Sequence, residues 1–298
     1  MNNTSSFYPN FFIVGAPRSA TTSLYEYLNK HPQIIMSKIK EPHFFGKDLF
    51  DPKFIRNEKD YLSLFQVENQ KIIGEASVWY LYSKYAAEEI QKFNPDSKIL
   101  ISLRNPNEMI FSLHFQHVRS GFQKTSNFEK AIKEQNKKTV KNRISFRENI
   151  NYFESAKYSE QIKRYQKVFD PSQIKIVLFD DIVVDTAKIY REILQFLEVD
   201  PDFLPEFPIL NKRKNTRNKY LDTVVWNLRR MRSSIKKTNS TYFKSMSKIW
   251  YFSQNLNQYE ETRERINTRI PSELNSYFNN EIKVLGEIIN RDLSSWLF

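Results

Sequence analysis

Three short stretches of this chain carry residue types that do chemistry on anions and hydroxyls. The first is Gly15-Ala16-Pro17-Arg18-Ser19-Ala20-Thr21-Thr22-Ser23-Leu24, fed by the apolar run Phe11–Val14. A strand, a tight turn and a helix start, in that order, make a phosphate cradle. The helix N-terminus offers N–H groups that have no partner inside the helix, together with the positive end of its dipole. Gly15 is expected to let the chain turn. Arg18 adds a guanidinium fork for an oxyanion. Ser19, Ala20, Thr21, Thr22 and Ser23 are the candidate wall of the cradle. A Walker-type loop wants glycine where Ala20 stands and lysine where Thr21 stands, so the expected ligand is a phosphate-like anion other than ATP with magnesium.

The second stretch is Leu103-Arg104-Asn105-Pro106, with Ser112 two turns into the helix that Pro106 opens. Arg104 ends a strand, where a magnesium-binding enzyme would want an acid, and Arg104 and Ser112 can converge on a second phosphate. The third is Lys40-Glu41-Pro42-His43-Phe44-Phe45. Partial burial against Phe44 and Phe45 is expected to raise the Glu41 carboxyl toward that of a useful general base. Taken singly, these stretches also fit a capped helix start, a surface ion pair and a solvated turn.

The elements that must position them read as an α/β pattern. Strands are expected at Phe11–Gly15, Ile34–Met36, Lys71–Glu75, Lys98–Arg104 and Ile174–Phe179. Runs such as Ile99-Leu100-Ile101 fit strands buried on both faces of a parallel sheet. Helical patterns lie between them at Thr22–Asn29, Lys84–Phe93, Pro106–Ser120, Lys157–Phe169 and Thr186–Leu197. Phe128–Asn149 reads as a helix plus a loop. After Asp200 strand signals stop, and helices are expected at Leu221–Ser233 and Ser272–Ile289. In open sheets of this kind ligands sit at the carboxyl ends of the strands, where all three stretches fall.

Composition sets outer bounds. The chain has 298 residues, 40% hydrophobic and 15% aromatic, enough for a sizeable core. It has no cysteine, which excludes disulfides and thiolate chemistry, and only four histidines, which leaves little room for a His-rich metal centre. No metal is expected. With five glycines, no long flexible linker is expected. The expectation is one domain over 1–298, with a core over about 8–210 and a basic helical extension over 211–298. No apolar run approaches the ~20 residues that span a bilayer, and Met1–Asn10 lacks the basic start of a signal peptide. A cytoplasmic protein, able to sit at a membrane surface, is the expectation.

The net charge of +12 asks for an acidic partner. Thr223–Tyr259 holds Arg229, Arg230, Arg232, Lys236, Lys237, Lys244 and Lys248 and no acidic residue. Val225, Leu228, Met231 and Ile235 recur there near helical spacing. Such a basic amphipathic segment can face an anionic glycan or a membrane surface, or simply pack on the main domain with a solvated basic face.

Together the motifs resemble the sulfotransferases that use 3′-phosphoadenosine-5′-phosphosulfate (PAPS), in their bacterial and carbohydrate, heparan-type branch. The likeness rests on Gly15–Leu24, Lys40–Phe45, Gly74-Glu75-Ala76-Ser77 and Leu103–Pro106 with Ser112. It continues more loosely through Tyr158, Val177–Asp181 and Phe196–Val199. The resemblance implies a P-loop-like three-layer fold, a central parallel β-sheet flanked by helices, with a helical C-terminal extension. It implies that Arg18–Ser23 hold the 5′-phosphosulfate and that Arg104 and Ser112 hold the 3′-phosphate. Glu41 then takes the proton of an acceptor hydroxyl, and Lys212, Arg213 or Lys214 closes as a lid. The product is adenosine-3′,5′-bisphosphate and the acceptor a carbohydrate or glycoconjugate. Three positions depart from the family pattern: Arg18 stands for the usual lysine, Ala20 for a glycine, and Ala76 follows Glu75 where heparan-type members carry a lysine. Acceptor-side walls are expected from Lys47–Asp60 and Gly121–Asn151, which show no chemistry-bearing pattern.

Two other readings compete. A P-loop nucleotide or nucleoside kinase would use Asp180-Asp181 at a metal. A non-enzymatic nucleic-acid-binding protein would use the net charge, but the basic residues follow no recognisable binding motif, and no nucleic-acid partner is expected.

Overall fold

Five short apolar strands pair in parallel in the order β2-β3-β1-β4-β5: β1 is Phe11–Gly15, β2 Ile34–Met36, β3 Ile72–Ala76, β4 Lys98–Leu103 and β5 Ile174–Leu178. The computed structural model describes residues 8–135, 145–208, 214–216, 258–260 and 272–297. All five strands fall where the apolar runs predict them, within a residue at each end. β4 and β5 each stop one residue early. Arg104 leaves the sheet edge, and Phe179 already begins a helix.

The helices among the described residues are α1 (Thr21–Leu28), α2 (Glu58–Leu62), α3 (Ala86–Phe93), α4 (Pro106–Ser120), α5 (Phe128–Glu134), α6 (Tyr152–Ser155), α7 (Tyr158–Gln166), α8 (Phe179–Val184), α9 (Thr186–Leu197) and α10 (Ser272–Ile289). Local chemistry sets their ends. α3 starts two residues later than the pattern suggests because the Ser83 hydroxyl accepts the N–H groups of Tyr85 and Ala86, while that of Lys84 goes to Asp48. α4 carries Pro106 in its first turn, Asn105 as its cap and Gly121 in the left-handed region beyond it.

Alternation along β1 divides the core into two layers. Phe12 and Val14 face a cluster built with Ala86, Ile90, Ile110, Leu113, Ile162 and Phe278. Phe11 and Ile13 face the opposite cluster with Leu24, Leu28, Ile189, Ile193 and Leu197. The result is helices on both faces of a parallel sheet, as the sequence predicts. α10 belongs to the first layer, burying Phe278, Ile282 and Leu285. Glu281 on α10 accepts from the Ser159 N–H at 2.7 Å and its hydroxyl at 2.8 Å, tying α10 to α7.

One expectation past Asp200 is corrected. Lys214–Thr216 (β6) and Gln258–Glu260 (β7) pair as a short antiparallel ribbon. Neither has an apolar pattern to announce it, because the pairing rests on backbone hydrogen bonds. Lys212, Arg213, the helix expected at Leu221–Ser233 and the basic stretch before β7 lie outside the described residues.

Candidate active site

The three stretches follow the carboxyl ends of β1, β4 and β2 and so lie along one edge of the sheet; the chain runs from β1 out to β2, returns to β3 and crosses β1 to reach β4. The loop after β1 enters α1 through Ala20, a residue whose methyl side chain makes no cap; the first turn holds no acidic side chain. The opening N–H groups of α1 have no intrahelical partner by construction, so this end is suited to an anion. Thr21 is buried and Thr22 half-buried there. Ser19 is fully buried and donates to the Pro17 carbonyl at 3.3 Å, so its hydroxyl serves the loop itself. Ser23 hydrogen-bonds the Tyr27 side chain. Gly15 has a different role from the one expected. A Cβ there would lie 2.5 Å from the Leu81 Cβ, so glycine is required by close approach of the next loop.

Arg18, Ser112 and Arg104 are brought together. Arg18 Nε donates to Ser112 Oγ at 3.0 Å, across 94 residues of sequence. Arg104 Nη1 points at the Arg18 carbonyl at 3.4 Å. The rest of the Arg104 fork goes to Glu108, Nε at 2.9 Å and Nη2 at 2.7 Å on one oxygen, with the Phe179 ring 4.4 Å from the guanidinium carbon. Glu108 is only 3% exposed. A buried carboxylate on the first turn of α4, four residues after Arg104, thus orients the guanidinium, at a spacing that is visible in the sequence.

Glu41 sits on the loop after β2, tied to the sheet by its own N–H on the Ala76 carbonyl at 2.9 Å. Its carboxyl differs from the expectation. Burial is the largest influence and pushes it up, but the cations beside it, Lys40 and Arg147, help to outweigh burial, and the carboxyl lies below the ordinary carboxylate value. Lys40 Nζ lies 2.9 Å from one oxygen and Arg147 Nη2 3.3 Å from the other. Phe44 and Phe45 point away, into an aromatic cluster with Tyr61 and Phe93. Glu41 is therefore ionised at neutral pH.

Beneath that loop lies a buried polar layer. Glu75, fully buried at the end of β3, has its carboxyl pushed up to about 8 by burial, against hydrogen bonds from Tyr80 and Ser77. Ser77 reaches Glu75 at 3.4 Å and accepts the His43 N–H at 3.1 Å. The His43 ring stacks on Phe54 at 4.2 Å and is held down to about 4 by burial, so it is neutral. Asp51 and Arg147 come from the two stretches that show no pattern. Arg147 is 106 residues from Glu41, on a single 3-10 turn (Phe146–Asn149), and nothing local announces it.

The acids of the kinase reading are engaged elsewhere. Asp180 accepts the Trp296 indole N–H at 2.7 Å, and Asp181 pairs with Arg291 at 3.0 Å, both opening α8.

The chain combines a three-layer parallel α/β fold, a helix start suited to an anion and a carboxylate on the loop after β2. The sulfotransferase domain family matches residues 8–268, and the chain belongs to it. Human carbohydrate sulfotransferase 15 is 24% identical over 65% of this chain and 44% of its own length. The membrane-associated sulfotransferase kil1 of Dictyostelium discoideum is 36% identical over 36% of this chain and 23% of its own. The chain spans less than half the length of these relatives. The crystal structure of a sulfotransferase from Alicyclobacillus acidocaldarius aligns over 97% of this chain and 99% of its own, at 28% identity and a TM-score of 0.71.

Proposed function

We propose that the chain transfers a sulfuryl group from PAPS to a carbohydrate hydroxyl, with Glu41 as the base. The observation that carries this reading is the meeting of Arg18, Arg104 and Ser112 beside the uncapped start of α1, with an ionised Glu41 on the next loop. Carbohydrate acceptors are suggested by the relatives' names.

This reading divides the donors between the two anionic ends of one nucleotide. The α1 N–H groups, Thr21, Thr22 and Arg18 would hold the 5′-phosphosulfate, and Arg104 and Ser112 the 3′-phosphate. PAPS, when bound, supplies the sulfuryl group, a new bond from the acceptor oxygen to sulfur forming as the bond from sulfur to the bridging oxygen breaks. Glu41 takes the acceptor's hydroxyl proton. Arg18 stabilises charge on the leaving side as a guanidinium clamp, because a group of such high pKa is a poor proton donor at neutral pH. Positioning and charge stabilisation do most of the work, as in phosphoryl transfer.

Calorimetry with adenosine-3′,5′-bisphosphate tests the donor site. Binding is expected, and no heat at ~1 mM ligand, equivalent to about −4 kcal/mol, would sink the reading. Glu41→Gln should bind the bisphosphate unchanged and lose about 10²-fold or more in turnover, read as bisphosphate release from PAPS over a panel of oligosaccharide acceptors. Turnover retained in Glu41→Gln would remove Glu41 from the base role.

A further inference from the structure

Both oxygens of Glu41 are held by cations, and one of those cations is itself anchored. Arg147 Nη1 faces Asp51 Oδ2 at 3.6 Å, while Nη2 reaches Glu41. The Asp51 side chain is 6% exposed, and its other oxygen accepts the Lys53 N–H at 3.0 Å. The rings of Phe54, Phe146 and Phe122 lie 5.3, 5.5 and 5.9 Å from the Arg147 guanidinium carbon. The backbone is fixed as well: Ser145 Oγ accepts the Arg147 N–H at 3.2 Å, and the Phe146 N–H donates to the Phe50 carbonyl at 2.7 Å.

We infer that Arg147, held by Asp51, is a positioning residue for the base: it fixes the orientation of the Glu41 carboxylate and keeps a counter-charge of its own when Glu41 is neutralised. This rests on the reading of Glu41 as the base. Lys40, Arg147, Glu41 and Asp51 sum to zero charge while Glu41 is ionised. When Glu41 takes the acceptor's proton the group becomes +1, yet Arg147 remains paired with Asp51. Without Asp51, that proton transfer would leave a largely buried guanidinium with no anion, which is costly. Ala76, next to Glu75, offers no charge here, and His43, the other titratable group facing Glu41, is neutral by burial. Arg147 and Lys40 therefore supply the cationic field at the base.

Carbon-13 NMR titration of the Glu41 carboxyl tests this directly. The resonance is assigned by its absence in Glu41→Gln. In the unaltered protein Glu41 should titrate below the ordinary glutamate value. Removing a neighbouring cation raises a carboxyl pKa, so Arg147→Gln should move the midpoint up by about one unit. The acid limb of kcat/KM should follow by the same amount, and Arg147→Lys should restore most of both. Asp51→Asn should leave the Glu41 midpoint at or below its original place and lower kcat more than it changes KM. Bisphosphate binding should be unchanged in all three.

A midpoint in the unaltered protein at or above the ordinary value overturns the inference even if Arg147→Gln does not fold. So does a shift under about 0.3 unit in Arg147→Gln. Failure of the unaltered protein to bind the bisphosphate would instead overturn the donor reading and leave the Arg147–Glu41 titration standing as measured.

Discussion

The two halves of the site handle charge in opposite ways. On the anion side, Arg18 and Arg104 lie together, Glu108 orients the Arg104 guanidinium, and the positive end of α1 adds to the positive charge. On the acceptor side, Lys40 and Arg147 stand against Glu41 and Asp51, and the count closes at zero. A surplus of positive charge is what a polyanion needs in order to bind. A balanced cluster is what a carboxylate needs in order to stay ionised and oriented without drawing in every passing anion. The halves do share a backbone habit. Arg18 and Ala20 in one loop, and Glu41 and His43 in the other, take positive φ between 50° and 63°. Strain of that kind persists where the surroundings over-determine the loop, and it is common at functional sites.

The largest expected effect lies on the anion side. Arg104→Ala should weaken adenosine-3′,5′-bisphosphate about 10²-fold by calorimetry, the loss of a charge-assisted contact. It also strands Glu108, 3% exposed, so a stability loss of about 3–5 kcal/mol in denaturant unfolding should accompany it. Arg104→Ala with Glu108→Gln separates the two. Stability should recover while affinity does not. A double variant that binds like the unaltered protein would make the Arg104–Glu108 pair purely structural, and the contrast in charge between the two halves would fail.

The anion side was largely legible in the sequence and the acceptor side only in part. The loop Gly15–Ser23 and the Arg104–Ser112 spacing are local patterns, and the strands that deliver them are unbroken apolar runs, so their positions followed from periodicity alone. The direction of the Glu41 shift did not, because it depends on Arg147, which reaches it from a distant polar stretch. Gly15 was legible as a required glycine but for another reason, since nothing in the sequence says that Leu81 will press against it. β6 and β7 were hidden because polar residues paired through backbone leave no periodic trace.

The polar layer under the acceptor side gives the next test. Glu75 carries a folded-state pKa near 8 against an unfolded value of 4.5, so the folded protein holds a proton that the unfolded chain has lost. Stability from this group is complete below the unfolded value of 4.5, is lost progressively as pH rises from there, and is gone once pH has passed through about 8. Glu75→Gln mimics the protonated carboxyl and removes the titration. Unfolding free energy between pH 5 and 8 should lose a slope worth on the order of 3–4 kcal/mol across that range, while bisphosphate affinity stays unchanged. An unaltered slope in Glu75→Gln would mean that Glu75 is ionised, and that the Ser77–His43 link to the base loop rests on a carboxylate.

The smallest effect sharpens the comparison at the backbone. Ala20 sits at φ 60°, ψ 10°, where a Cβ costs roughly 1–2 kcal/mol and a glycine nothing. Glycine gives back about 0.5–1 kcal/mol through the freer unfolded chain. Ala20→Gly should therefore be neutral to slightly stabilising, with a rise in Tm of about 1–3 °C. The same loop then has more freedom before ligand arrives, so bisphosphate affinity should fall by no more than a few-fold. Ordering the loop in advance is the one advantage alanine holds over glycine at this position. A loss of stability above about 1 kcal/mol would show that alanine is not strained there and that the habit shared with Glu41 and His43 is not a cost borne by both loops.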